Sequence, residues 1–453
     1  MSSKRSSQPR SIEVVNPEAA GIDVGAEVHY VAVNPQRSST PIRRFSAMTD
    51  GIHALIAFLK ESGTTTVVLE STGPYWGVLY AELAKADLRP LLVDPRKAKK
   101  PAGRKTDVVD SEWLRQMHVL GMLDGAFVAT GHGLQMRELV RRRQCRIAHQ
   151  GAAVVMMQEA LSRMNVKLQH VVRDLAGKTG LAIVDAVLAG ERDPRVLAKL
   201  RDYRCRSDET TFVRAMTGTW REECLLILRQ ARDDHRHYQS QIDECDRAIE
   251  TLLNTIITAQ PAATIVSPSK PKPSSNKHAP SFNAHQLLAT IYGVDLTTIP
   301  GVNATSLLKL SGEIGFTIDP WPTPWHFASW LRLCPDPQRS GDKPLRKRGS
   351  PATATRAAQI FKEMALGLHH DQGPLGQRFR AVRARKGHDF AIKVAAHQIA
   401  VIAYCMIKTK RPFDPTHHQH GIDDTKQRQL NALRKKAQAL GYSLQEVTAK
   451  AAG

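Results

Sequence analysis

The order of runs between residues 18 and 120 is the strongest constraint on what this chain can fold into. Three short β-branched runs, AAGIDVG, EVHYVAV and TPIRRFS, come before any helical pattern. The first helical spacing is GIHALIAFLKES, with Asp50 placed to cap it. TTTVVLE then reads as a strand, and STGPYWGVLYAELAKA as a helix opened by Ser/Thr with Pro74 in its first turn. LRPLLVD reads as another strand, and KTDVVDSEWLRQM as a closing helix. An ordinary doubly wound sheet alternates strand and helix from its start, and this segment does not.

Strand, strand, strand, helix, strand, helix, strand, helix is the order of an RNase H-like domain, and it gives meaning to the carboxylates. Asp23, within GIDVG, would lie on the central strand, where an ionised group without a partner costs several kcal/mol. Glu70 ends VVLE, at the carboxyl edge where α/β sheets assemble their sites. Asp107 and Asp110 are three apart, hence neighbours on one helix face, and Leu114 and Met117 continue that stripe. Each has an ordinary reading as well. Asp107 can complement a helix dipole, Glu70 can be a strand-end residue, and GIDVG can equally mark the phosphate loop of an actin-like sugar kinase. Together, four carboxylates at one edge repel one another unless a divalent cation neutralises them, and oxygen-only ligands suit magnesium or manganese. Two such ions roughly 4 Å apart are the usual device for in-line chemistry at a phosphodiester.

The fold class expected is α/β plus α. Residues 1–17 form a basic N-terminus, and 18–130 the α/β domain. Residues 131–258 read as a helical arm: Val140, Ile147, Val154, Leu161 and Leu168 recur every seven residues. A second run, Leu228, Ala231, His235, Tyr238, Ile242, Cys245, Ile249, Leu252 and Ile256, steps by three and four. These are coiled-coil seams on two long helices, either paired in a globular bundle or meeting another chain, with a small helical insert at 178–220. Residues 259–283 are a Pro/Ser/Lys linker, 284–411 a second, mostly helical domain, and 412–453 a basic tail with one helix near 424–440.

Partners follow from charge. The 453 residues carry a net +21, with a pI of about 9.9. Such a surface attracts polyanions, nucleic acid before anionic membrane, since no segment of the sequence reads as a bilayer span. MSSKRSSQPRS lacks the apolar core of a signal peptide. Six scattered cysteines without a CxxC pair give the reduced pattern of a cytoplasmic protein. Arg96, Lys97, Lys99, Lys100, Arg104 and Lys105 directly precede the paired aspartates; alone they are a solvated face, beside carboxylates a phosphate guide.

The second domain opens with TTIPGVNATSLLKLSGEIG, in which Pro300 and Gly301 form the turn of a helix-hairpin-helix-like start able to hold a phosphate on backbone N–H groups. In CPDPQRSGDKPLRKRGSP, Ser340 stands among Arg339, Lys343, Arg346, Lys347 and Arg348. A loop serine is ordinarily a turn residue, but one held among guanidinium groups can attack the phosphate they bind; Ser350 is its rival. His369, His370, His417, His418 and His420 have no cysteines at zinc-finger spacing.

GIDVG, LESTGPYW, KTDVVDSEWL, GKTGLAIVDAVLAGERDP, TIPGVNATSLLKLSGEIG and QRSG, in this order, resemble the DEDD transposases of the IS one-ten family, relatives of the Piv/MooV-type DNA invertases. The resemblance spans the chain except its first dozen residues and its tail. It implies a domain like the Holliday-junction resolvase RuvC with a tetrad at Asp23, Glu70, Asp107 and Asp110, and a nucleophilic serine at Ser340. It further implies magnesium, no nucleotide cofactor, donor and target DNA, and a noncoding bridge RNA as guide. Homodimers assembling into a homotetramer, in a prokaryotic cytoplasm and at the nucleoid when acting, are implied too. The sequence departs from the family pattern in its long linker and in SGDKPLRKRGSPATATRAA, which lacks the expected K-R-G-N ending.

Overall fold

The computed structural model describes residues 14–71, 73–95, 98, 107–129, 131–259, 277–334, 339–340, 343–344, 355–418 and 420–443. The chain divides into two compact units, 1–128 and 129–453.

The first unit is built on five strands: β1 (Ala19–Val24), β2 (Val28–Ala32), β3 (Ile42–Ser46), β4 (Thr66–Glu70) and β5 (Pro90–Val93). Their order across the sheet is β3-β2-β1-β4-β5, with the first three antiparallel and β1, β4 and β5 parallel. Helices α1 (Thr49–Glu61), α2 (Trp76–Lys85) and α3 (Asp107–Val119) follow in the order read from the sequence. Asp50 is in the first turn of α1 and not at its cap, which is Met48.

The strands alternate between two cores. Ile22, Val24, Val67 and Leu69 pack with Leu55, Leu59, Leu79 and Leu83 of α1 and α2 on one face. On the other, Val68 and Val93 pack with Leu114 of α3 and with Ala98, which precedes that helix. Both faces are covered, which is why these strands read as near-continuous apolar runs.

The second unit is helical. Its frame is α4 (His132–Arg163), joined through α5 (Leu168–Val171), α6 (Lys178–Leu188), α7 (Pro194–Lys199) and α8 (Glu209–Met216) to α9 (Glu222–Ala259). Arg143 meets Asp246 and Gln150 meets Gln239, so α4 and α9 run antiparallel against each other within one chain. Leu228, Ala231, His235, Ile242, Cys245, Ile249 and Ile256 are buried at the seam positions expected for α9; Leu253 is fully buried where Leu252 is only partly so.

On α4 the seam differs from its heptad reading. Leu168 falls beyond the helix, and a second row, Met136, Arg143, Gln150 and Met157, is buried beside Val140 and Leu161. At the far end Met157, Leu161, Ile183, Val184, Leu197, Phe212, Leu225 and Leu228 form one core with the small helices. Asp185 of α6 accepts two hydrogen bonds from the Arg232 guanidinium of α9, at 2.8 and 2.9 Å.

After residue 277 come α10 (Ala284–Tyr292), α11 (Ala304–Ile314), α12 (Pro324–Trp330), the two-residue strands β6 (Arg339–Ser340) and β7 (Lys343–Pro344), α13 (Arg356–Leu366), α14 (Pro374–Lys386), α15 (His388–Thr409) and α16 (His420–Ala439). α11 lies on α4: Arg141 makes a bidentate pair with Glu313, and Arg137 donates to the Gly312 and Glu313 carbonyls. α15 corrects the sequence reading that no segment is long and apolar enough to cross a membrane, since it meets that description. Its Ala391, Ala395, Ala396, Ile399 and Tyr404 are buried instead, in a core that includes Phe327, Phe361 and Phe379 of α12, α13 and α14. A core helix passes the same length and composition test as a span.

Candidate active site at the sheet edge

Register brings two of the carboxylates together. β1 and β4 pair with Ile22 opposite Leu69, so the next row sets Asp23 beside Glu70, at the carboxyl ends of adjacent parallel strands. Strand spacing is about 4.8 Å, and residues in one row point to the same face. That face is the α3 side, because Gly21 and Val68, two residues back on each strand, pack towards α3. Asp23 and Glu70 are each half-buried, and both make polar interactions.

The direction of α3 is fixed by contacts along its length. An added Cβ at Gly21 would collide with the Ser111 carbonyl and the Arg115 backbone, so only glycine lets the helix lie this close to β1. Farther on, the His118 ring is 2.9 Å from Thr66 Oγ1 at the start of β4, and the Val119 carbonyl accepts from the N–H groups of Val15 and Asn16. α3 therefore runs opposite to β1 and β4. Its first turn, with Asp107 and Asp110, is at the edge where Asp23 and Glu70 end their strands. Asp110 is half-buried, and the Asp107 side chain is outside the described residues. Asp94, which the sequence reading passed over, directly follows β5 at the same edge.

The rest of α3 is held firmly. Arg115 makes a bidentate pair with Glu112, at 2.8 and 2.6 Å, and Trp113 Nε1 donates to the Ala98 carbonyl at 3.0 Å. Burial disfavours the charged Glu112, but hydrogen bonds from Arg115 and Gln116 hold its carboxyl below the usual range. Desolvation keeps His118 neutral to lower pH than a free imidazole.

A hard divalent cation fits this donor set, which is oxygen only. Among the described residues no three His, Cys, Asp or Glu side chains are grouped to hold a metal by themselves. Magnesium is commonly held by one or two carboxylates, with waters and substrate phosphates completing its shell.

The remaining sequence candidates are placed as follows. Arg96, Lys97, Lys99, Lys100, Arg104, Lys105, Arg346, Lys347, Arg348 and Ser350 are outside the described residues. Ser340 ends β6 and pairs with Lys343 of β7; the side chains of Arg339, Ser340 and Lys343 are not described. Gly301 has φ +87°, and an added Cβ would collide with the Met364 carbonyl of α13. Its glycine is therefore required by packing. Asn303 then caps α11 in a capping box with Ser306.

Sequence reading missed an ionic centre in the seam of the second unit. Arg143, 4% exposed, donates to Asp246, 1% exposed, and to the His278 carbonyl; Asp246 also accepts from the Ser281 N–H. Its signal was the row Met136, Arg143, Gln150, Met157, seven apart and adjacent to the heptad that was followed.

Comparison with known families matches both halves of this arrangement. Residues 20–166 match the transposase model for the DEDD domain of IS110, and residues 294–381 match the model described as Transposase IS116/IS110/IS902 family. No curated protein matches the chain. The first match covers the whole carboxylate edge and the second the Gly301 turn and the β6–β7 pair, and on these two matches the chain belongs to the IS110 family of transposases.

Proposed function

We propose that this transposase cuts and rejoins DNA through a phosphoserine intermediate, with Asp23, Glu70, Asp107 and Asp110 as a metal-binding tetrad on an RNase H-like, RuvC-like domain. The observation that carries the reading is the shared row of Asp23 and Glu70 beside the first turn of α3. The family acts on DNA, as a net charge of +21 suits.

The four carboxylates would hold magnesium or manganese, which when bound supplies charge stabilisation at a phosphodiester. In the chemistry proposed, Ser340 Oγ attacks phosphorus. The Oγ–P bond forms as the P–O3′ bond breaks; the serine proton passes to solvent, and the departing 3′ oxygen takes one up. A 3′ hydroxyl then attacks the phosphoserine and restores both groups. Bond energy is conserved, so no ATP or other nucleotide cofactor is needed. Arg339, Lys343, Arg346, Lys347 and Arg348 would clamp the phosphate, and the cations from Arg96 to Lys105 would guide the strand. Gly301 N–H belongs to the same proposed backbone-phosphate contacts.

The resemblance in sequence supports the remaining parts: a structured bridge RNA as guide, and homodimers that join in a tetramer whose composite site takes its tetrad from one subunit and its serine from another. Action at the nucleoid of a prokaryotic cell belongs to the same reading.

The test is recombination between donor and target plasmids carrying the element's flanking noncoding DNA, with covalent protein–DNA adducts trapped on denaturing gels. Wild type should give adducts, and Asp23→Ala and Ser340→Ala should give none. Cleavage that survives Ser340→Ala without an adduct would make the protein a RuvC-like endonuclease using water.

A further inference from the structure

α15 presents a second kind of surface, away from its buried stripe. Phe390, Lys393 and His397 stand at i, i+3 and i+7, so they share one face, which spans about 10 Å along the axis. Trp325 of α12 is packed on the His397 ring at a centroid distance of 5.9 Å, yet remains 63% exposed. Phe390 is 44% exposed, with Lys386 Nζ 4.9 Å above its ring. Arg378 of α14 is close enough to His397 for its charge, after burial, to help keep that imidazole neutral. Among the described residues no ion pair engages Arg378, Lys386 or Lys393.

A scattered exposed apolar residue needs no explanation, but here large rings and cations gather on one face, with Asp389 one turn before Lys393 as its acidic neighbour. Rings left open to solvent offer π-faces to bases, and flanking cations offer charge to phosphates. A paired duplex hides its base faces within the stack, whereas an unpaired strand can use both. We propose that Trp325, Phe390 and His397, with Arg378, Lys386 and Lys393, form a stacking platform for an unpaired DNA strand. The proposal commits to DNA because the family's substrates are DNA, and it extends the function proposed above without using its carboxylates or its serine.

The test uses the full chain and fluorescence anisotropy with a labelled thymidine homopolymer, a duplex of equal length and a uridine homopolymer. Salt is raised until non-specific duplex binding is weak. Trp325→Ala and Phe390→Ala should each weaken thymidine binding at least about fivefold and leave duplex binding unchanged, while Trp325→Phe should retain most of the affinity. Arg378→Gln should lower the salt slope by about 0.7. Melting curves check that the variants are folded, and thymidine quenching of tryptophan emission that is lost in Trp325→Phe reports stacking independently of the alanine variants. Equal losses for duplex, no loss for either alanine variant, or tighter binding of uridine than thymidine would overturn the proposal. Adduct formation in the recombination assay is a separate readout, so failure here leaves the recombinase reading standing.

Discussion

The sheet unit and the helical unit handle buried charge in opposite ways. At the sheet edge Asp23, Glu70 and Asp110 are half-buried acids gathered at the ends of β1 and β4 and the start of α3. In the α4–α9 seam Asp246 is fully buried, but it faces Arg143, and the pair is completed by the His278 carbonyl and the Ser281 N–H. An acid that faces a buried arginine already has its counter-charge and helps to fix register. Acids of one sign at an open edge gain most from an added cation. The seam pair is structural, and the sheet edge is the arrangement proposed above as a site.

That contrast can be broken in order of expected effect. Asp23→Asn or Glu70→Gln should reduce strand transfer about 10²–10³-fold or more in the plasmid assay, with thermal stability unchanged or raised as repulsion is relieved. A large fall in stability would instead make the edge a structural centre like the seam. Arg143→Ala should do the reverse and cost about 3–5 kcal/mol in denaturant unfolding, because it strands a buried carboxylate; replacing both partners with leucine should recover much of that loss. Gly301→Ala should cost about 1–3 kcal/mol in the same measurement, through its positive φ and the approach of Met364.

The smallest effect is on pH. Burial lowers the pKa of His29 and His118 in the sheet unit, so protonation favours the unfolded chain. Their contribution is present above the unfolded value of about 6.5 and lost as pH falls below it, which a melting series across that range would read. His29→Gln and His118→Gln should flatten the series.

Much of this molecule was legible beforehand. The order of strands and helices follows local periodicity, and so do the α9 seam positions and the strand ends that carry Asp23 and Glu70. The Arg143–Asp246 centre was less legible, because a heptad search follows apolar residues and this row interrupts them with an arginine and a glutamine. The aromatic face of α15 was not legible at all, since Trp325 and Phe390 look like core residues until burial is known.

The sequence by itself determined the order and type of the elements in the sheet unit and the buried face of α9, because those depend on neighbours three, four or two positions away. The cap of α1 and the end and buried row of α4 were set by packing. Only the tertiary structure decided the pairings. It set Asp23 level with Glu70, turned α3 so that its first turn meets them, and closed α4 on α9 within one chain. It also brought Met364 against Gly301. Each joins segments far apart in sequence, and a local pattern carries the face but not the partner.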